Sequence, residues 1–171
     1  MNHLAVTERA AAIRLLVLDV DGVLTDGRLY FTADGETLKA FHVRDGAGIV
    51  QLRRAGIEVA VISGRNSPIV NKRMSELGVL HVRQGIDDKQ AALQALLQTL
   101  QLDQNCIACV GDDTPDVPML NMARLAVAVA DAHPAVKAAA HYVTQIAGGL
   151  GAVREVCDLI LQARHAAQRS G

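Results

Sequence analysis

The sequence predicts an α/β fold: a Rossmann-like three-layer sandwich with a central parallel sheet, plus a protruding β-hairpin. Two observations predict the sandwich. Short runs that are apolar throughout alternate with segments of helical period. Strands without a polar face are buried on both sides, as in a parallel sheet covered by helices. A third observation predicts the hairpin. Gly27 to Val43 breaks the alternation, with two β-rich runs flanking Asp34-Gly35, a turn signal between strands.

The elements follow in order. Arg14 to Leu18 is an apolar strand that ends at Asp19. After the hairpin, Gly46 to Ala55 reads as a helix closed by Gly56, and Glu58 to Ile62 as a strand ending at Ser63-Gly64. Asn66 to Leu77 reads as a helix, with Ser67 and Pro68 in its first turn and Gly78 just beyond it. Val79 to Val82 is a short strand. Asp88 to Leu100 has the clearest helical period, with Leu93, Leu96, Leu97 and Leu100 at i, i+3, i+4 and i+7. Cys106 to Val110 and Leu125 to Ala130 are strands, Pro134 to Ala140 a short helix, and Tyr142 to Thr144 a further strand. Val153, Val156, Cys157 and Ile160 mark a last helix.

A chain of 171 residues is expected to form one domain spanning residues 1–171. Half of it is apolar, with no Trp and few aromatic residues, so aliphatic side chains must build the core. The formal net charge is −1, which disfavours a nucleic-acid-coating surface. The scarcity of rings disfavours base stacking. The longest clean apolar run, Leu125 to Ala130, has six residues, and a membrane span needs about 20. No secretory signal is visible, so a cytoplasmic location is expected. The three cysteines, an odd number, argue against a disulfide framework. Cys106 and Cys109 lie three apart in a strand, hence on opposite faces, and are expected to be structural.

Function in a parallel sheet gathers at the carboxyl ends of its strands. Here those ends hold Asp19-Val-Asp21-Gly22, then Ser63-Gly64-Arg65, then Gly111-Asp112-Asp113 with Asp116 close behind, while Lys89 starts a helix. Five carboxylates at one edge require protonation or a bound cation. With only oxygen ligands the cation is hard, and Mg²⁺ suits a few carboxylates plus a phosphate oxygen. A serine and a lysine could hold the remaining phosphate oxygens. This is the equipment of phosphoryl transfer.

With these residues in this order, the chain resembles the haloacid dehalogenase superfamily of phosphatases. Residues 19–25, Ser63, Lys89 and Gly111 to Asp116 look like its four motifs. The segments 18–27, 41–46, 62–65, 128–134 and 148–160 are similar to one branch without a cap domain. That branch acts on the 8-phosphate of an eight-carbon 3-deoxy sugar acid in lipopolysaccharide biosynthesis. The resemblance covers roughly residues 13–164.

It implies that Asp19 is the nucleophile, forming an aspartyl-phosphate, and that Asp21 is the acid and base. Asp21 is expected to point the same way as Asp19 if the strand persists. Asp19 and Asp112 would bind Mg²⁺ through carboxylates and Asp21 through its carbonyl, while Asp113 and Asp116 orient these groups. Ser63 and Lys89 would hold phosphoryl oxygens. The loop His42, Val43, Arg44, Asp45 and Gly46, with Arg65 and Arg73, would contact a sugar-acid phosphate, joined by Asp21 and Lys89. Val50 departs from an arginine frequent in the family, and Leu150 from a basic residue.

Between Asp21 and Ser63 there is room for a hairpin and one helix but not for a large cap. The hairpin, about 27–43, is therefore expected to assemble a homotetramer whose subunits complete one another's sites, as in the family. Two other readings stay open: a phosphatase for a nine-carbon 9-phosphate, which Arg65 argues against, and a non-catalytic assembly module, which intact Asp19, Asp21, Lys89 and Asp112 argue against. A receiver-type signalling domain fits poorly, because the third strand ends in Val82-Arg-Gln-Gly85 without a carboxylate.

Overall fold

The computed structural model describes residues 3–170. Its strands are β1 (Leu15–Leu18), β2 (Tyr30–Thr32), β3 (Gly35–Leu38), β4 (Glu58–Ile62), β5 (His81–Arg83), β6 (Ile107–Gly111), β7 (Leu125–Ala128) and β8 (Tyr142–Val143). Its helices are α1 (His3–Ala11), α2 (Val43–Arg54), α3 (Pro68–Glu76), α4 (Lys89–Leu100), α5 (Val117–Leu120), α6 (Pro134–Ala139) and α7 (Ala152–Ser170). Six strands form one sheet in the order β5-β4-β1-β6-β7-β8, and every pairing in it is parallel.

The order reverses direction at β1. From there the chain builds outward to β4 and β5, then returns to β6 on the other side. Right-handed crossovers therefore place α2 and α3 on one face and α4, α5 and α6 on the other. Helices α1 and α2 both pack on α7. The reversal opens a crevice beyond the carboxyl ends of β1 and β6, the usual ligand site of such sheets. The central strands β1, β6 and β7 are buried throughout, and the core is aliphatic, as the composition requires. β2 and β3 form a separate antiparallel ribbon.

Several boundaries differ from expectation for physical reasons. Residues 43–46 are the first turn of α2, not a loop, because the His42 Nδ1 accepts the Arg44 N–H at 3.2 Å and caps the helix. Histidine lies outside the preferred capping set, and two early glycines weaken the helical pattern. Those glycines allow close packing: a Cβ at Gly48 would lie 3.0 Å from both Arg154 Cδ and Cys157 Cβ. The third strand starts at His81, not Val79, because the Val79 N–H is taken by the Met74 carbonyl at 2.9 Å in closing α3. Helix α1, absent from the sequence reading, docks by buried Val6 and Ala10. Cys106 ends a 3-10 turn and Cys109 is buried in β6; both are free thiols. Burial pushes the Cys109 thiol well up, so it is inert.

Candidate active site

Strand β1 stops at Leu18, so strand alternation does not aim Asp21. The Asp19 N–H still reaches Val110 O at 3.2 Å. The chain then turns at once, and the Val20 carbonyl accepts the N–H groups of Val23, Leu24 and Thr25. The Thr25 hydroxyl donates to Val20 O and accepts the N–H groups of Gly22 and Gly27. This tight turn, not pleat geometry, returns Asp21 to the cavity that Asp19 lines.

That cavity holds about 410 Å³ and is lined by Asp19, Asp21, Ser63, Arg65, Lys89, Asp112, Asp113 and Asp116 among others. Ser63 directly follows β4 and is buried. Lys89 opens α4 behind its cap, Asp88. Its Nζ lies 2.9 Å from Asp19 Oδ1 and 2.6 Å from Asp116 Oδ1. Burial disfavours its charge, but the carboxylates of Asp19 and Asp116 outweigh that and raise its pKa.

One carboxylate oxygen from each of Asp19, Asp112 and Asp116 lies within 4.8 Å of the others. Asp116 is already committed. Its Oδ1 takes the lysine, and its Oδ2 accepts the N–H groups of Asp112 and Asp113 at 3.0 and 3.3 Å. It shapes the Asp112 loop and anchors Lys89. The exposed Asp113 caps the following 3-10 turn, accepting the Thr114 N–H at 2.7 Å. Burial pushes Asp19 up to about 6, with Asp116 adding and Lys89 opposing. Burial, then Asp19, Asp116 and Asp113, push Asp112 up to about 7. Burial is the larger cause of both shifts and the crowding of carboxylates the second, and a bound cation would offset both. An all-oxygen donor set fits a hard divalent ion such as Mg²⁺.

Of the residues read as sugar contacts, Arg65 lines this cavity in its own chain. His42, Asp45, Gly46 and Arg73 surround a separate shallow depression with Leu24 and Phe41. Arg44 lines a groove beside α7, and Val43 is exposed. Asp45 is buried, and its Oδ1 accepts the Arg154 N–H at 2.7 Å, capping the start of α7. Val50 packs against the core. Leu150 is exposed. Arg154 pairs with Asp158 at 2.8 Å on its own helix.

Two residues of the site were not legible. Lys39 and Glu36 of the hairpin approach Asp21 and Arg65. Charges on a ribbon ordinarily read as edge protection, so nothing local marks them. The Gly148-Gly149 pair is also explained. A Cβ at Gly148 would lie 1.7 Å from Gly22 O, and one at Gly149 would lie 2.3 Å from Thr25 C. The stretch therefore presses directly on the turn behind Asp21.

An acidic crevice at the switch point of a parallel sheet, with a buried lysine, a serine and two aspartates on one turn, defines a phosphoryl-transfer hydrolase. Residues 75–153 match the family model for haloacid dehalogenase-like hydrolases. The 3-deoxy-D-manno-octulosonate 8-phosphate phosphatase of Yersinia pestis is 53% identical over 93% of this chain and 85% of the relative. Its Escherichia coli K12 counterpart is 52% identical over the same shares. The crystal structure of the Moraxella catarrhalis phosphatase of that name, in complex with magnesium, phosphate and KDO, superposes with a TM-score of 0.93 at 38% identity. That alignment covers 99% of each chain. The chain belongs to the haloacid dehalogenase-like hydrolases, in the branch that holds the 3-deoxy-D-manno-octulosonate 8-phosphate phosphatases.

Proposed function

We propose that this chain is a Mg²⁺-dependent phosphatase that hydrolyses 3-deoxy-D-manno-octulosonate 8-phosphate to the free sugar acid and phosphate, in lipopolysaccharide biosynthesis. The observation that carries the reading is the grouping of Asp19, Asp112 and Lys89 in one cavity, in a chain 53% identical to a phosphatase of that name.

Asp19 and Asp112 would hold the ion through carboxylates and Asp21 through its carbonyl. When bound, the ion neutralises the carboxylates and the phosphoryl group and draws Asp19 and Asp112 back to their ionised forms. The Asp19 carboxylate attacks phosphorus, the ester bond breaks, and Asp21 delivers its proton to the departing alkoxide. Ionised Asp21 then takes a proton from water, whose oxygen attacks the aspartyl-phosphate to release phosphate and restore Asp19. Ser63 and Lys89 hold the equatorial oxygens, where charge builds in the transition state. Arg65 at the cavity wall suits the carboxylate of a sugar acid. Asp113 and Asp116 hold the ligand loop and the lysine in place.

We also propose one domain without a cap, closed by neighbouring subunits in a homotetramer. Leu29, Tyr30, Phe31 and Leu38 of the hairpin stand exposed, an apolar surface suited to pairing between copies. His42, Val43, Arg44 and Arg73 would then serve a sugar acid from outside the catalytic cavity of their own chain, while the buried Asp45 caps α7. The thiols of Cys106, Cys109 and Cys157 are free, which suits a reducing cytoplasm. Among the described residues, no helix is long and apolar enough to cross a membrane.

The test is phosphate release from the eight-carbon 8-phosphate beside a nine-carbon 9-phosphate and simple sugar phosphates, with Mg²⁺ and with EDTA. Metal-dependent preference for the eight-carbon ester, lost in Asp19→Asn, is expected. Equal turnover of all esters overturns the substrate assignment, and no turnover by folded, Mg²⁺-loaded protein overturns the enzymatic reading.

A further inference from the structure

We propose that Lys39, brought in by the hairpin of the same chain, is a positioning residue for Asp21 that dictates which carboxylate oxygen meets the leaving group. The inference rests on Asp21 being the acid and base, as read above.

The Lys39 side chain is 1% exposed, although Thr37, Leu38 and Ala40 around it are exposed. Burying an ammonium is costly unless it is paired. Its Nζ bonds to Asp21 Oδ1 and lies 3.0 Å from Glu36 Oε1. Arg65 completes the set, with Nε 3.6 Å from Asp21 Oδ2 and Nη2 3.6 Å from Glu36 Oε1. Two cations thus face two carboxyl groups in one network. In a regular strand Glu36 and Lys39, three apart, would point to opposite faces. Strand β3 ends at Leu38, so strand alternation does not hold Lys39 opposite Glu36, and the ribbon's register also shifts between Tyr30 and Phe31. The Arg65 guanidinium also lies 5.8 Å from the Phe31 ring centroid, which ties it to the same ribbon.

A carboxylate can rotate to present either oxygen. Lys39 occupies Oδ1, while Asp21 Oδ2 is buried without a hydrogen-bond partner among the described residues. Oδ2 is therefore the oxygen left to pass a proton to the departing alkoxide and to take one from water. Arg65 Nε stands 3.6 Å from Oδ2, just beyond hydrogen-bond reach, and without Lys39 the carboxylate can turn to close that gap and spend Oδ2 there. The hairpin would then contribute to catalysis from its own chain, apart from any part in assembly.

The experiment compares single-turnover release of the leaving group from an alkyl sugar phosphate and from p-nitrophenyl phosphate. This reads formation of the aspartyl-phosphate before water attacks. An alkoxide needs a proton to leave, whereas nitrophenolate does not. Lys39→Met is expected to slow the sugar ester by about 10-fold or more and the nitrophenyl ester far less, because general acid catalysis supplies roughly 10²–10⁴-fold where a proton is needed. Lys39→Arg restores the sugar ester rate, and adding Lys39→Met to Asp21→Asn slows neither ester further. Equal slowing of both esters, or multiplied losses in the double variant, overturns the inference, as does an unslowed Lys39→Met. If Asp21→Asn itself slows both esters equally, the acid–base reading of Asp21 falls instead. Thermal unfolding of each variant identifies a loss due to misfolding, in which case the Lys39→Arg comparison decides.

Discussion

Gly22 and Asp112 face each other with no room for a methyl group between them. A Cβ at residue 22 would lie 2.0 Å from Asp112 Oδ2, and Gly22 holds a φ of +88°. Both the backbone and the ligand carboxylate therefore require glycine. Gly22→Ala is expected to displace Asp112 and weaken Mg²⁺ activation by about 10–100-fold, the range for residues that orient metal ligands. A Mg²⁺ titration of activity checks it; an unchanged titration would show that Asp112 does not hold the ion.

The acidic cluster makes metal-free stability depend on pH in an unusual direction. Asp19 is raised to about 6 and Asp112 to about 7 from an ordinary 3.8, so the folded state binds these protons more tightly than the unfolded one. Their contribution to stability is fully present below pH 3.8 and is lost as pH rises through about 6 and 7. In EDTA, Tm should carry a component that falls over this window. Asp112→Asn should remove much of it. Mg²⁺ should raise Tm most at and above neutral pH, where protons no longer compete. Scanning fluorimetry across pH, with and without metal, reads all three effects.

Asp45 should act on stability. Its Oδ1 caps α7 by accepting the Arg154 N–H at 2.7 Å, and loss of a cap costs about 0.5–2 kcal/mol. Asp45→Ala should therefore lower Tm by about 2–4 °C per kcal/mol, the scaling for a domain of this size. An unchanged Tm with a raised KM would instead assign the side chain to substrate.

The exposed ribbon gives a test of assembly. Phe31 is 58% exposed and Leu29 47%. Phe31→Asp should shift sedimentation from four copies toward one without unfolding the sheet. If wild-type protein sediments as a monomer, the assembly proposal is overturned.

The sheet was legible because its strands are written locally. Uninterrupted apolar runs such as Leu15–Leu18 and Leu125–Ala128 mean burial on both faces wherever they occur. The same holds for α4, whose leucines repeat at helical spacing. Asp19, Ser63, Lys89 and Asp112 could be named because a parallel sheet brings its strand ends to one edge, so position along the chain implies position in space.

What only the tertiary structure decided depends on distance between remote segments. Asp45 and Arg73 look alike as candidate ligands in the sequence, yet one caps α7 and the other lies over Gly46 beside α2. Nothing in the sequence marks Lys39, which lies just past β3 and turns inward onto Asp21. The turn at Val20, rather than strand pleat, aims Asp21. Residue pattern reports which side chains prefer burial, and so it determined the layers and the edge at which the acidic residues gather. It does not report where a charged side chain finds its counter-charge, because that partner comes from whichever distant segment the packed core brings within reach.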